Sequence, residues 1–484
     1  MITAQIDKGP RLDKKLGFFR FRRLDNSEYV LSNDVGDYLV LREPDFRSLM
    51  QGRGKPADEI TQKLQAMGIL NREEFLSADS ILRYRNRNLF LFKATGLHIV
   101  VTTLRCNLKC SYCQASARKG SEHEFDMTEE TARRVVDAAF QSPNAKIDIE
   151  FQGGEPTANW PIVEFVINYA NRKSLAENKE VYFSLVSNLV ALTEEQLQFL
   201  VDNEVGITTS LDGPEALHDL HRGKGSFKKT TENLRHCFQT YKEKYVLRLP
   251  GALLTMTRDC LEQPCEIVDE YMRQGQESVQ FRKVNPFGIA AQQMGKFDFT
   301  ADEYLAFYEK AFDYILDLNR NGKRFTERTA YLFLVKMLTD YPVNHMDCRN
   351  PCGAGVGQVA YNFNGDVYTC DEGRMMAMMG CDDFKIGNVY ENSFQDMMNS
   401  DVVRTLCVSS CLESLPHCDL CPYKPYCGVC PIYNFTVEGD IFSRQACNEK
   451  CRINKGILDI LVSRGKDPGV MEIYQNWIND IFLI

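Results

Sequence analysis

The chain has 484 residues, of which 44% are hydrophobic and 25% charged, with a net charge of −9 and 18 cysteines. That length exceeds what one core supports, so two or three domains are expected, and the acidic balance argues against a nucleic-acid partner, which would show a basic domain. No apolar run approaches the roughly 18 residues of a membrane span, and the basic N-terminus lacks the apolar core of a signal peptide; a cytoplasmic protein follows, whose cysteines serve metal or redox chemistry rather than disulfides.

Residues 1–90 read as a separate small domain. Strand-like runs at 18–24, 29–33 and 38–41 are joined through turn candidates at Asp25-Asn26-Ser27 and Asp34-Val35-Gly36-Asp37. Helices follow over 44–50 and 57–67, the second with Ile60, Leu64 and Met67 at helical spacing. A short sheet followed by two or three helices has the outline of a winged helix. It serves either as a recognition domain or as a structural cap on its neighbour.

Over 96–320 strands and helices alternate. Strands are read at 97–104, 147–151, 181–186, 206–210, 246–254 and 278–284, and the helix over 128–141 carries Ala132, Val135, Val136, Ala139 and Phe140 on one face. Thr193 and Gln196 have the form of a capping box. Crossovers of this length join parallel neighbours, so an α/β fold with an incomplete (βα)6, TIM-like barrel is expected, its function at the C-terminal ends of the strands.

The first strand runs into Cys106-x3-Cys110-x2-Cys113, and the second into Gly153-Gly154-Glu155-Pro156. Three soft ligands on one loop suggest an iron-sulfur cube with one open iron, because a cube normally takes four thiolates. A zinc site completed by a histidine such as His123, or buried unliganded cysteines, are the alternatives. Paired glycines let backbone come close to a ligand, and a carboxylate suits an ammonium group. His218 and His221 read as structural.

A second cysteine-rich stretch spans 345–452. It holds Cys348, Cys352 and Cys370, with a hairpin turn at Asn364-Gly365, then Cys418-x2-Cys421-x5-Cys427-x2-Cys430 and Cys447. Two C-x2-C knuckles are also a zinc-ribbon ligand set, and a non-catalytic zinc scaffold is the competing reading. Asp371 reads equally well as a turn residue. The tail, 453–484, is helical with Ile457, Leu458, Leu461, Trp477, Ile478 and Phe482 as apolar positions.

The C-x3-C-x-aromatic-C form of Cys106, Cys110, Tyr112 and Cys113 resembles the signature loop of radical S-adenosylmethionine (SAM) enzymes. The resemblance implies a 4Fe-4S cluster on the three thiolates, SAM chelated to its free iron, and Tyr112 near the adenine. It also implies that Gly153, Gly154 and Glu155 hold the SAM amino group. Ser187 and Asn188 would meet the ribose, and the segment from Ser210 to Arg222 would bring that arginine to the SAM carboxylate. The C-terminal cysteines are similar to the SPASM extension, as in anaerobic sulfatase-maturating enzymes. By order, Cys348, Cys352, Cys370 and Cys430 would hold one auxiliary 4Fe-4S cluster, and Cys418, Cys421, Cys427 and Cys447 a second, with Cys411 and Cys451 as alternative ligands. Asp371 then occupies the place of a general base.

Phe21-Arg22-Arg23-Leu24, Ser32-Asn33-Asp34-Val35-Gly36 and Cys370-Asp371-Glu372-Gly373-Arg374 are reminiscent of maturases of His-Xaa-Ser-type ribosomal peptides. That resemblance implies an intramolecular cyclophane-type carbon-carbon crosslink in a precursor peptide, with formylglycine or thioether formation as runners-up. It further implies a leader bound by the N-terminal domain and an electron donor such as flavodoxin or ferredoxin.

Overall fold

The structure, a computed structural model, describes residues 16–24, 27–51, 58–70, 77–245, 249–345 and 348–479. Asp25-Asn26, Ala57, the first residues of the strand expected at 246–254, and Phe482 lie outside them.

The N-terminal unit is an antiparallel sheet of β1 (Arg20–Arg23), β2 (Glu28–Ser32) and β3 (Tyr38–Arg42), in that order, followed by α1 (Glu43–Gln51), α2 (Asp58–Ala66) and α3 (Ala78–Arg87). Leu31, Leu41, Phe46, Leu49, Leu64 and Ile69 form its core. The unit is fastened to the cysteine-rich region. Arg22 pairs with Asp459 at 2.8 Å, Ser32 Oγ donates to Pro422 O at 2.6 Å, and Tyr426 OH donates to Gly36 O at 3.0 Å.

The alternating region then runs β4 (Leu97–Thr103), α4 (Glu129–Phe140), β5 (Lys146–Gly153), α5 (Trp160–Glu177), β6 (Glu180–Ser187), α6 (Glu194–Asp202), β7 (Gly206–Ser210), α7 (Glu215–Arg222), α8 (Ser226–Lys244), β8 (Gly251–Met256), α9 (Pro264–Arg273) and β9 (Phe281–Lys283). Thr128 caps α4, and Thr193 with Gln196 forms the expected capping box on α6. The six strands are parallel neighbours in sequence order, the partial barrel that the alternation predicts.

Two features differ from expectation. The sixth strand is broken: Ser278–Val279 pairs with Thr326–Glu327, and only Phe281–Lys283 stays on the barrel, where the Phe281 N–H meets the Glu327 carboxylate at 3.4 Å. Glu327 also N-caps α11 (Arg328–Leu338), so one buried carboxylate redirects the chain there. The sheet also continues past β4. There β10 (Gln358–Tyr361) pairs parallel to it, followed antiparallel by β11 (Asp366–Tyr368) and β12 (Lys385–Asn388), the hairpin expected at Asn364-Gly365.

Side-chain alternation divides the barrel wall. Ile147, Ile149 and Phe151 of β5 pack outward on Val135, Val136 and Ala139 of α4 and on Val163 and Ile167 of α5. The register that opposes Glu150 to Ser184, Val186 to Thr208, Ser210 to Leu253 and Thr255 to Arg282 turns these residues to the lumen, where all are half-buried.

The remaining helices of seven or more residues are α10 (Ala301–Arg320), α12 (Asp371–Ala377), α13 (Asp401–Ser410), α14 (Pro431–Glu438), α15 (Glu449–Arg464) and α16 (Pro468–Asn479). The tail packs α15 and α16 on α10 around Trp477, whose ring meets Phe312 at 6.1 Å and whose Nε1 donates to Asn319 at 3.1 Å. No helix among the described residues is long and apolar enough to cross a membrane. Trp477→Ala should cost about 3 to 5 kcal/mol of stability, the usual range for a buried aromatic truncation, read by denaturant unfolding.

Candidate functional site

The loop after β4 is held by backbone closeness. Gly154 lies so near the crossing chain that a Cβ there would stand 2.4 Å from Leu104 O and 2.3 Å from Arg105 O, and Gly153 has φ +130° with Thr103 O equally near. The Glu155 N–H donates to Arg105 O at 2.8 Å. The glycine pair therefore makes room for the chain's own cysteine loop. On the other side Gly288, at φ +57°, packs against Gln114 O, and Ile289 N donates to Cys113 O at 2.8 Å.

Cys106, Cys110 and Cys113 are free and half-buried, and act electrostatically on one another. Burial pushes the Cys106 thiol up to about 12, despite a hydrogen bond from Leu108 N, and also raises Cys110. Thiols so placed become thiolates only against a strong local positive charge, such as bound metal. His123 donates no such completion: it is exposed and bonds Asp126 at 3.1 Å.

Glu155 is buried and receives four hydrogen bonds: Thr157 N at 3.1 Å, Thr157 Oγ1 at 2.7 Å, Ser187 Oγ at 2.8 Å and Asn188 N at 2.9 Å. Burial still leaves its carboxyl raised, these bonds notwithstanding. Asn188 reaches Asn107 at 2.8 Å and Cys106 Sγ at 3.8 Å. Three sequence-separated stretches, 106–107, 153–157 and 187–188, thus meet in one place.

Tyr112 and Arg222 converge on Asp212, which sequence reasoning passed over. The Tyr112 hydroxyl donates to Asp212 Oδ2, Arg222 Nε donates to the same oxygen at 2.9 Å, and Arg222 Nη2 to Oδ1 at 3.2 Å. Burial opposes charge on Asp212, but the Arg222 guanidinium outweighs it and holds the carboxyl below its usual range. His221 and His218 are structural here, as expected: His221 bridges Ser111 and Thr257, each at 3.0 Å, and His218 Nδ1 accepts from Asp212 N at 3.4 Å. Ser210 closes β7 at the lumen, opposite Leu253.

In the C-terminal region Cys352, Cys370 and Cys430 are buried in one cluster. Burial, then the neighbouring acid Glu372 and cysteines Cys430 and Cys352, raises the Cys370 thiol well above its ordinary value. Cys348 is half-buried, and its carbonyl accepts from Lys336. Cys418, Cys421, Cys427 and Cys451 line a cavity that Cys430 also reaches. Cys447, expected as the fourth member, is exposed at the end of a short turn, because Cys451 sits in the first turn of α15, which turns it inward. Cys407 and Cys411 share α13 and its C-cap, with Cys411 Sγ donating to Cys407 O at 3.3 Å. Asp371, expected as a general base, is buried and ion-paired to Arg374 at 2.7 Å. Among the described residues no three His, Cys, Asp or Glu side chains gather as they would around a single ion.

The radical SAM superfamily model matches residues 100–263, and the SPASM model, an iron-sulfur cluster-binding domain, matches 352–431. This chain belongs to the radical SAM superfamily and carries a SPASM domain. It is similar to the cysteine-type anaerobic sulfatase-maturating enzyme of Clostridium novyi, at 25% identity over 69% of this chain and 87% of that enzyme. Its fold is that of anSMEcpe with bound AdoMet, at a TM-score of 0.65, 21% identity, and coverage of 78% of this chain and 99% of that one. Streptococcus suis SuiB bound to precursor peptide SuiA matches at a TM-score of 0.51, 15% identity, and coverage of 88% and 97%.

The radical SAM domain binds a 4Fe-4S cluster and SAM, and the SPASM domain binds auxiliary iron-sulfur clusters. The donor sets fit: soft thiols are grouped in both matched regions, and a thiol-only set suits iron and sulfide. The zinc-scaffold reading leaves the superfamily match unexplained. In anaerobically purified protein, Cys451→Ala should lower iron per chain, whereas Cys447→Ala should leave iron content unchanged; the opposite ranking would restore Cys447.

Proposed function

We propose that this radical SAM enzyme modifies a ribosomally made precursor peptide, forming a cyclophane-type carbon-carbon crosslink. When bound, SAM on its cluster supplies a hydrogen-abstracting 5′-deoxyadenosyl radical, and the auxiliary clusters supply an electron acceptor. In this reading Cys106, Cys110 and Cys113 hold the SAM-binding cluster. Gly153, Gly154 and Glu155 face the SAM amino group, with Ser187 and Asn188 bracing Glu155. Arg222 uses Nε and Nη2 on Asp212, which leaves Nη1 for the SAM carboxylate. Cys348, Cys352, Cys370 and Cys430 hold one auxiliary cluster, and Cys418, Cys421, Cys427 and Cys451 the other.

The observation that carries the reading is the lumen. Five of the six parallel strands present Glu150, Gln152, Ser184, Thr208, Thr255 and Arg282 to it, all half-buried rather than packed. A polar chamber beside a radical-generating loop suits a peptide, whose backbone needs hydrogen-bond partners at every residue. Formylglycine formation is the second reading, favoured by the sulfatase-maturating relatives.

The N-terminal unit supports leader binding. β3 is an edge strand, and α3 beside it has no buried residue and exposes Ile81, Leu82 and Tyr84. Arg83 ties α3 to the start of β3 through Asp37 at 2.6 Å. Strand addition at such an edge gives affinity through backbone pairing. Amide exchange across Tyr38–Arg42 should slow when leader peptide is added; unchanged exchange there would move the leader elsewhere.

Mass spectrometry of a co-expressed precursor tests the reaction. A crosslinked product weighs two hydrogens less than the precursor, while the same loss together with sulfur replaced by oxygen marks formylglycine from cysteine. Replacing Cys106, Cys110 and Cys113 together by Ala should abolish 5′-deoxyadenosine formation, given a one-electron donor of flavodoxin or ferredoxin type, while iron persists in the C-terminal region.

A further inference from the structure

The crosslinking reaction needs a proton acceptor in the chamber; Glu150 faces it, and Asp371 is near enough to act electrostatically on Glu150. Asp371, at the start of α12, gives Oδ1 to Arg374 Nε at 2.7 Å, and Arg374 is completely buried. The Asp371 carboxylate is thus already committed to the guanidinium of its own helix. Glu150 is placed differently. It stands at an inward position of β5, three residues before Gly153, or about 10 Å along the strand at roughly 3.3 Å per residue. It is half-buried and receives hydrogen bonds only from neutral donors, Gln152 Nε2 and Ser184 Oγ, the latter at 3.2 Å.

Resting on the crosslinking reading, we infer that Glu150 is the catalytic base that takes the substrate proton, with Asp371 as the fixed negative charge beside it. The electron count closes. One substrate C–H hydrogen leaves as an atom to the 5′-deoxyadenosyl radical. The carbon radical adds to an aromatic ring and forms the new C–C bond. The ring C–H proton then passes to Glu150, and the remaining electron passes to an oxidised iron-sulfur cluster of the SPASM domain. The peptide loses two hydrogens in all.

The charged groups facing Glu150 are Asp371 from α12 and Arg282 from β9. Burial raises the Glu150 carboxyl above its ordinary 4.5; Asp371 adds to the rise, while Gln152, Ser184 and Arg282 oppose it. A base works when deprotonated, so product formation should be full above the raised pKa and fall as pH drops through it. That acidic limb then lies above the ordinary glutamate range, closer to working pH, as an efficient base requires.

The test measures product and 5′-deoxyadenosine separately against pH, using full-length holoenzyme and precursor peptide. Glu150→Gln should lower the product rate by about 10² or more, keep 5′-deoxyadenosine formation, and lose the acidic limb. Arg282→Gln removes a cation that favours the carboxylate, so it should move the limb to higher pH, which a merely structural role would not do. A Glu150→Gln enzyme with wild-type product rate and limb, or an Arg282→Gln limb that stays in place, overturns the assignment. Should Glu150→Gln fail to load iron, the Arg282→Gln limb decides alone. Wild-type enzyme that cleaves SAM yet leaves the peptide mass unchanged overturns the underlying reading instead.

Discussion

The buried charge on Asp212 is the constraint on which the SAM-facing half of the molecule turns. It is completely buried at the end of β7, and its two oxygens bind Arg222 of α7, the Tyr112 hydroxyl of the cysteine loop and, at 3.4 Å, the Thr255 N–H of β8. Desolvating such a pair cancels much of its Coulomb attraction, but removing one partner leaves an uncompensated charge and costs about 3 to 5 kcal/mol. The arrangement therefore specifies geometry more than it adds stability. It fixes the loop, a strand end and a helix to one point, as a site that must aim three thiols requires.

The same economy of position operates on the other side of β4. Because β10 hydrogen-bonds to β4 as a seventh parallel neighbour, with Ala360 opposite Ile99, the C-terminal region is continuous with the barrel sheet. The hairpin that follows carries Cys370 and Asp371 to the chamber wall opposite Glu150. An electron acceptor held on the continuation of the sheet keeps a fixed distance from the lumen. A linker-tethered domain would not.

The strands were legible because, most clearly in β5, the outward residues are apolar and the inward ones polar, so period two shows in the sequence. The joining of β10 to β4 was not legible, since a four-residue strand carries no mark of its partner. Cys447 and Cys451 illustrate a similar limit. Spacing after Cys430 favours Cys447, but the start of α15 at Glu449 sets which thiol faces the cavity. Asp212 was visible inside a quoted motif, yet its role needs Tyr112, 100 residues away, to be seen. Glu150 was visible too, as one polar member of an alternating strand. The available signal was a carboxylate at an inward position close to the glycine pair, which alternation alone treats like any other polar residue.

Motifs shared with peptide maturases acquire a physical sense in the fold. Arg22, in the first of them, pairs with Asp459 of α15, and Ser32 bonds Pro422 between two cysteines of the second set. Asn33 uses its side-chain oxygen to hold the N–H groups of Gly36 and Asp37, both at 2.9 Å, and so shapes the turn into β3. These residues fasten the N-terminal sheet to the cysteine-rich region. Cys370 to Arg374 differs, because there the motif joins a thiol in the buried cysteine cluster to an ion pair at the chamber wall. Its acid is paired to its own arginine. The Glu150 carboxyl is raised chiefly by burial, and Asp371 adds to that rise.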